Sequence, residues 1–334
     1  MMQVSATQTA ETFVTLARLA GEAMIAGKCS SGGARWRTVQ PYLAGPRTSP
    51  PELQSPGRPT RQHAAGDKGE RVLVAGVRAV CLGLAITVFA LAVPLQWLLA
   101  RFWPGARHRL PMLFHRAICA AAGLRVRVTG NVCAQRPLLV IANHVSWLDI
   151  PAFGGAAPLS FLAKTEVGDW PVIGIFARLQ GCVFVDRNRR RGIAQVNAAI
   201  TASLRAGNVL VLFAEGTTGD GNRLLRFCPP HFEAAIGASS AAQAAWLQPV
   251  AITYTHRNGL LFERRTRPGI AWYGAMALLP HLWAILRGGP VDCELRYGTP
   301  LPVRPDSRRK ALALLAQREI RACLAGGRPA DVVA

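Results

Sequence analysis

A histidine and a carboxylate five positions apart, His144 and Asp149, lie in the run Asn143-His144-Val145-Ser146-Trp147-Leu148-Asp149-Ile150-Pro151. An imidazole can take up a proton near neutral pH, and a neighbouring carboxylate can orient it and stabilise the imidazolium that forms. The pair therefore suits general-base chemistry, with His144 as the base and Asp149 as its partner. The same spacing has a structural reading. Ser146-x-x-Asp149 matches a capping box, in which the acid serves only to start a helix. On this stretch alone the two readings stand side by side.

Two other stretches end an apolar run on residues that bind or orient. Gly181-Cys182-Val183-Phe184-Val185-Asp186-Arg187 puts an arginine where a strand ends, a place suited to forking a phosphate or carboxylate. The run from Val209 to Phe213 breaks into Ala214-Glu215-Gly216-Thr217-Thr218-Gly219-Asp220-Gly221. There a carboxylate meets glycines that let the backbone approach a ligand, and backbone N–H groups and hydroxyls can hold an alcohol or phosphate. Each has a structural counterpart, a surface Asp-Arg pair and a tight turn. The chain contains no Gly-x-Ser-x-Gly elbow, GxxxxGK[ST] loop, HExxH motif or dinucleotide fingerprint. Serine hydrolases of the common type, P-loop NTPases, zincins and dinucleotide enzymes are thereby disfavoured. The eight cysteines form no CxxC pair and show no zinc-type spacing to a histidine. No metal site is expected, and the thiols read as reduced, as in a cytoplasm-like compartment.

The elements that must position these residues follow from periodicity. From about residue 125, strand-like runs at 125–129, 138–142, 159–163, 182–185, 209–213, 249–254 and 292–297 alternate with helix-like ones at 147–156, 171–179, 190–206, 230–237 and 308–324. The alternation predicts an α/β domain over 125–325, a mixed but mostly parallel sheet flanked by helices. The apolar segment 271–286 reads as core or as a lipid-touching surface. Residues 1–70 are rich in Pro, Arg, Ser and Gly for much of their length and read as a disordered extension. Residues 326–334 read as a tail.

Between extension and domain, 71–124 reads as a membrane-anchoring helical region. Residues 79–100 carry no charge and would reach ~33 Å as a helix, enough for a ~30 Å hydrocarbon core. Arg78 and Arg101 bracket that run, and Trp97 and Trp103 sit near one end as interfacial anchors would. Arginines on both flanks, Pro94 within and a second helix at 111–123 favour a helical pair dipping into one leaflet over a plain span. Composition agrees with membrane contact. Half the residues are apolar, and 39 basic against 18 acidic residues give a net charge of +21, almost all of it arginine. That surplus suits anionic headgroups, phosphate-bearing substrates or nucleic acid.

In order along the chain, these motifs resemble those of the glycerolipid acyltransferase family, whose best-known members acylate lysophosphatidic acid. The first family motif, Asn-His-x4-Asp, is matched by Asn143, His144 and Asp149. The second is matched by Gly181, Phe184 and Arg187, and the third, Phe-Pro-Glu-Gly-Thr, by Phe213, Glu215, Gly216 and Thr217 with Ala214 in place of proline. Gln248-Pro249-Val250 weakly matches the fourth. The resemblance spans about residues 75–305 and shifts the reading of His144 and Asp149 to catalysis. Departures are informative. Thr218-Gly219 stands where many lysophosphatidic acid enzymes have Arg-Ser, which removes one candidate phosphate clamp. The runs 146–151 and 213–222 look like the branch that includes lyso-ornithine lipid acyltransferases. A basic residue that often follows a later Pro-Phe pair is not in register at Arg226-Phe227-Cys228.

The resemblance implies a membrane-associated O-acyltransferase at the cytoplasmic face of the cell membrane. It would move a fatty acyl group from an acyl-CoA or acyl carrier protein thioester, as co-substrate, to the free hydroxyl of a lysolipid. Lysophosphatidic acid is the first expectation for the acceptor and lyso-ornithine lipid the alternative. No cofactor and no nucleic acid partner is expected. By the same resemblance, Asn143, Phe184, Arg187, Glu215, Gly216 and Thr217 would hold substrate. Two readings of other classes, a membrane-tethered binder of nucleic acid or anionic lipid and a thioester hydrolase, explain the arginines or the dyad but not the ordered motif set.

Overall fold

The computed structural model describes residues 61–103, 108–169, 173–185 and 192–326. Helix α1 (Arg61–Phe102) and α2 (Arg109–Ala122) precede strands β1 (Leu124–Thr129) and β2 (Leu138–Ala142). Then come α3 (Asp149–Ala156), β3 (Ser160–Lys164), α4 (Thr165–Gly168), α5 (Ile173–Leu179) and β4 (Val183–Val185). After them run α6 (Gly192–Arg205), β5 (Val209–Phe213), α7 (Glu233–Ala238), β6 (Ala245–Arg257), β7 (Leu260–Leu261), α8 (Leu278–Arg287), β8 (Val291–Tyr297), β9 (Leu301–Val303) and α9 (Arg309–Leu324).

A strand with no polar residue needs cover on both faces, and β2 has it. All five of its residues are buried, between β5 on one side and β6 on the other, both parallel to it. Side chains alternate across the sheet at a period of two. Leu138, Val140 and Ala142 enter one core with Cys119 of α2 and Phe153 of α3, while Leu139 and Ile141 enter a second with Ile200 of α6, Ala234 of α7 and Ile320 of α9. Among the described residues the sheet runs β1-β8-β6-β2-β5-β3-β4, with β7 and β9 pairing to β6. Pairings are parallel except that β6 meets β7, β8 and β9 antiparallel. The expected mixed, mostly parallel sheet flanked by helices is the one observed. Two corrections concern extent. β6 begins at Ala245, earlier than its apolar run suggested, because Ala245–Leu247 pair with β9. The ambiguous 271–286 segment contributes α8, whose buried face includes Ile285 and Leu286.

α1 is continuous through Pro94 and starts at Arg61, inside the stretch read as an extension. Its window Gly69–Leu99 is long and apolar enough to cross a membrane, and only 6% of that window is buried. One side of α1 is tied to the domain. Arg78 Nη1 donates to the carbonyl of Leu286 at 3.0 Å, and Phe89 packs edge-on against Phe114 of α2, which stacks on Phe176 of α5. The other side leaves Leu84, Val88, Leu91 and Leu95 exposed. An apolar ridge of that length in contact with water is unfavourable, and burial in lipid removes the cost.

Candidate active site

Parallel strands present their carboxyl ends to one rim of the sheet, where loops can converge. β2 and β5 end side by side, Ala142 opposite Phe213. The ladder continues one step past the strands, because Ala214 N–H donates to the carbonyl of Ala142 at 3.1 Å. A proline has no N–H to give, so Ala214, the residue that departs from the family motif, supplies a bond that proline could not. Gly219 N–H donates to the carbonyl of His144 at 3.0 Å and ties the two loops again.

At the start of α3 the Asp149 carboxylate is fully buried and accepts four hydrogen bonds. His144 Nδ1–H reaches Oδ2 at 2.7 Å, Val145 N–H reaches the same oxygen at 2.7 Å and Ser146 N–H at 3.0 Å. The hydroxyl of Tyr254, on β6, donates to Oδ1 at 2.6 Å. The capping reading is thus half realised: the acid reaches back to the Ser146 N–H, but Ser146 Oγ has no partner among the described residues. A carboxylate can only accept, so Nδ1 carries the hydrogen and Nε2 is left as the basic nitrogen. The ring stacks on Phe213 with centroids 4.0 Å apart and planes at 13°, which fixes its tilt.

Glu215 and Asn143 pin this loop. Glu215 Oε2 accepts His144 N–H at 2.9 Å and Oε1 accepts Leu225 N–H at 2.8 Å. Asn143 exchanges two hydrogen bonds with the Ile252 backbone, Nδ2 to O at 3.0 Å and Ile252 N to Oδ1 at 2.9 Å. Both side chains, expected to hold substrate, therefore spend their polar atoms on main chain. Both also line a cleft of about 510 Å³ together with His144, Tyr254, Asn222 and three arginines, Arg223, Arg267 and Arg321. The backbone explains how Arg267 comes so close. Gly221 has φ +76, and a Cβ there would lie 3.2 Å from Arg267 Cγ.

The remaining expected residues are less central among the described ones. Phe184 lies on β4 with the Arg178 guanidinium 5.7 Å over its ring, away from the cleft lining. Gly216 and Thr217 are exposed beside Glu215 and do not line the cleft either. Arg187 lies outside the described residues. No group of three or more potential metal ligands occurs among those described. Sequence reasoning missed Tyr254 and the three arginines. A tyrosine in an apolar strand reads as core, and single arginines in an arginine-rich chain carry no pattern.

Burial raises the Glu215 carboxyl to about 7 from an ordinary 4.5, against the two N–H bonds that lower it and with the Asp149 charge adding slightly. With the folded value above the unfolded one, the folded chain holds a proton that the unfolded chain has released between those limits. Stability from this group is complete below 4.5 and is lost as pH rises through about 7. Glu215→Gln cannot titrate. Unfolding midpoints measured across this window are expected to show the unaltered chain losing stability relative to the variant as pH rises, by about 3 kcal/mol at the upper bound. Parallel curves would contradict the shift.

Comparisons with known proteins converge on this architecture. Residues 125–253 match the family model described as Acyltransferase. The lyso-ornithine lipid O-acyltransferase of Brucella abortus is 41% identical over 256 residues, 75% of this chain and 96% of that protein. Its namesake in Rhizobium meliloti is 39% identical over 74% of this chain and 85% of its own. The 1-acyl-sn-glycerol-3-phosphate acyltransferase of Neisseria meningitidis serogroup B is 33% identical over 66% and 83%. The crystal structure of the 1-acyl-sn-glycerophosphate acyltransferase from Thermotoga maritima superposes with a TM-score of 0.57 at 21% identity, covering 78% of this chain and 98% of that one, a likeness of fold. With a histidine and a carboxylate bonded at the carboxyl rim of a mostly parallel sheet, and relatives aligned along 83–96% of their own length, the chain belongs to the acyltransferase family.

Proposed function

We propose that the chain transfers a fatty acyl group from an acyl thioester to the free hydroxyl of a lysolipid, with His144 as general base and Asp149 as its orienting carboxylate. The carrying observation is the 2.7 Å bond from His144 Nδ1 to a fully buried Asp149 that is itself held by three further donors, on the wall of a cleft. A hydroxyl is a poor nucleophile. Nε2 takes its proton as the oxygen attacks the thioester carbonyl, the carbon–sulfur bond breaks, and the thiol leaves with a proton. Asp149 offsets the imidazolium charge during the step, and no covalent acyl-enzyme is required. General-base assistance of this kind contributes ~10²- to 10⁴-fold. By motif, Arg187, Glu215, Gly216 and Thr217 are candidate headgroup contacts, and Glu215, Gly216 and Thr217 follow the end of β5. α1 fits a substrate and a product that both reside in a bilayer, and a thioester donor of the cytoplasm would meet them at its cytoplasmic face.

Lyso-ornithine lipid is the acceptor favoured by similarity, since the Brucella and Rhizobium proteins of that name align at higher identity over more of this chain than the Neisseria protein. A second reading, lysophosphatidic acid, is favoured by the three arginines on the cleft, which suit a phosphate dianion. Membranes from cells with and without the gene decide between them when each lysolipid is supplied in turn with acyl-CoA or acyl carrier protein donor. Loss of acylation of lyso-ornithine lipid on deletion supports the first, and loss of phosphatidic acid formation the second. Fatty acid release without lysolipid consumption would replace both with a hydrolase.

A further inference from the structure

Asp149 Oδ2 has three donors, but Oδ1 has one among the described residues, the Tyr254 hydroxyl at 2.6 Å. Both groups are withdrawn from water, Asp149 at 0% exposure and Tyr254 at 2%. A buried hydroxyl is unfavourable unless hydrogen-bonded, and a buried anionic oxygen more so. Tyr254 comes from mid-β6, 105 residues further along the chain, so the contact is made by the fold and not by the loop. From this geometry we infer that Tyr254 is a positioning residue of the acyl transfer reaction: its hydroxyl holds Oδ1 so that Oδ2 meets the imidazole, and it stabilises the dyad in its unprotonated state. The inference rests on the proposed role of His144 and Asp149.

The hydrogen bond is strongest when the carboxylate charge is least compensated, which is when His144 is neutral and ready to act. Removing it therefore favours the protonated pair, whichever of the two groups is said to carry the proton. The surrounding groups leave that effect readable. Facing Asp149 are His144, Glu215 after β5, Tyr254 on β6 and Cys293 on β8, with Cys119 of α2 against Tyr254. Burial, followed by the Asp149 charge, pushes the Tyr254 phenol well above its ordinary value, so it is a donor at every working pH. Burial likewise raises both thiols, Cys119 to about 12, and neither adds charge. Glu215 titrates near neutrality but is common to the proteins compared.

The test is kcat and KM against pH for the full chain in lipid vesicles with acyl thioester and lysolipid. Tyr254→Phe keeps the ring and loses the hydroxyl. The expected result is KM within about twofold, kcat lower by about tenfold at neutral pH, and an acidic limb moved upward by about one pH unit. A lower unfolding midpoint with kcat and limb unchanged would make Tyr254 a space-filler and overturn the inference. If Tyr254→Phe does not fold, fluorinated tyrosine at the same position keeps the shape and strengthens the donor. The acidic limb is then expected to move downward as the phenol becomes more acidic, and an unmoved limb overturns the inference. Two failures are distinguishable. A Tyr254→Phe protein like the unaltered one beside an inert His144→Ala protein removes this inference alone, whereas no transfer by the unaltered chain removes the proposed function with it.

Discussion

His144→Ala is expected to lower kcat for acyl transfer by about 10³-fold, within the ~10²- to 10⁴-fold range of general-base assistance, while KM changes little. The substitution removes the one basic nitrogen left free beside the Asp149 carboxylate, and little else. The loop is held by its backbone: His144 N–H to Glu215 and His144 carbonyl to Gly219 are main-chain contacts that alanine keeps. The imidazole is stacked on Phe213 at the cleft wall, its side chain 11% exposed, so its removal leaves space that opens on water and not a sealed void. Cleft arginines and membrane helix are untouched. Steady-state kinetics in vesicles, with flotation to verify membrane attachment, measures both sides of the expectation. A variant with near-normal turnover would remove His144 from the reaction and with it the proposed mechanism.

How much of this was legible in the sequence depended on whether a feature is local. β2 and β5 could be read because each is an uninterrupted apolar run, a pattern that only a doubly covered strand needs. His144 and Asp149 could be read because one loop carries both. α8 was ambiguous because Leu278, Leu279, Trp283 and Leu286 suit a core and a bilayer equally, and its cap has no side-chain signal. β7 and β9 are two and three residues long, too short to hold any periodicity. The order of the sheet, with β8 between β1, to which it is parallel, and β6, to which it is antiparallel, is set by contacts between distant segments. Tyr254 and Arg267 belong to that class too. Each lines the cleft from a strand or loop whose own pattern states only that it is buried or basic.

The contacts of the pinning groups also add to what their motifs imply. Glu215 and Asn143 spend their polar atoms on the His144 amide, the Leu225 amide and the Ile252 backbone, so their first effect is to set where the imidazole sits. A motif can be read for the residues it contains without revealing which of them touch ligand and which hold the frame. The cationic groups lining this cleft, Arg223, Arg267 and Arg321, are ones that no motif marks.

Asp149→Asn is expected to be nearly as damaging to turnover as His144→Ala, and unlike it to cost stability. The carboxylate is fully buried with four donors directed at it, three on one oxygen. An amide has one acceptor oxygen and one NH₂. With its oxygen toward His144, Val145 and Ser146, the NH₂ faces the Tyr254 hydroxyl, which must turn to accept and leaves its own hydrogen unpaired. With the amide reversed, NH₂ meets three donors. Either arrangement strands at least one buried polar group, at about 1–3 kcal/mol, and the amide carries no charge to stabilise an imidazolium. The expected outcome is a lower denaturant midpoint and a kcat reduced by about 10³-fold. The double variant separates the two effects. His144→Ala with Asp149→Asn should unfold much as Asp149→Asn does, because the stability cost belongs to the aspartate site. Its turnover should fall little below either single variant, since a base and its orienting carboxylate act as one unit. Multiplied losses in turnover would mean that Asp149 serves the reaction by a route that does not pass through His144.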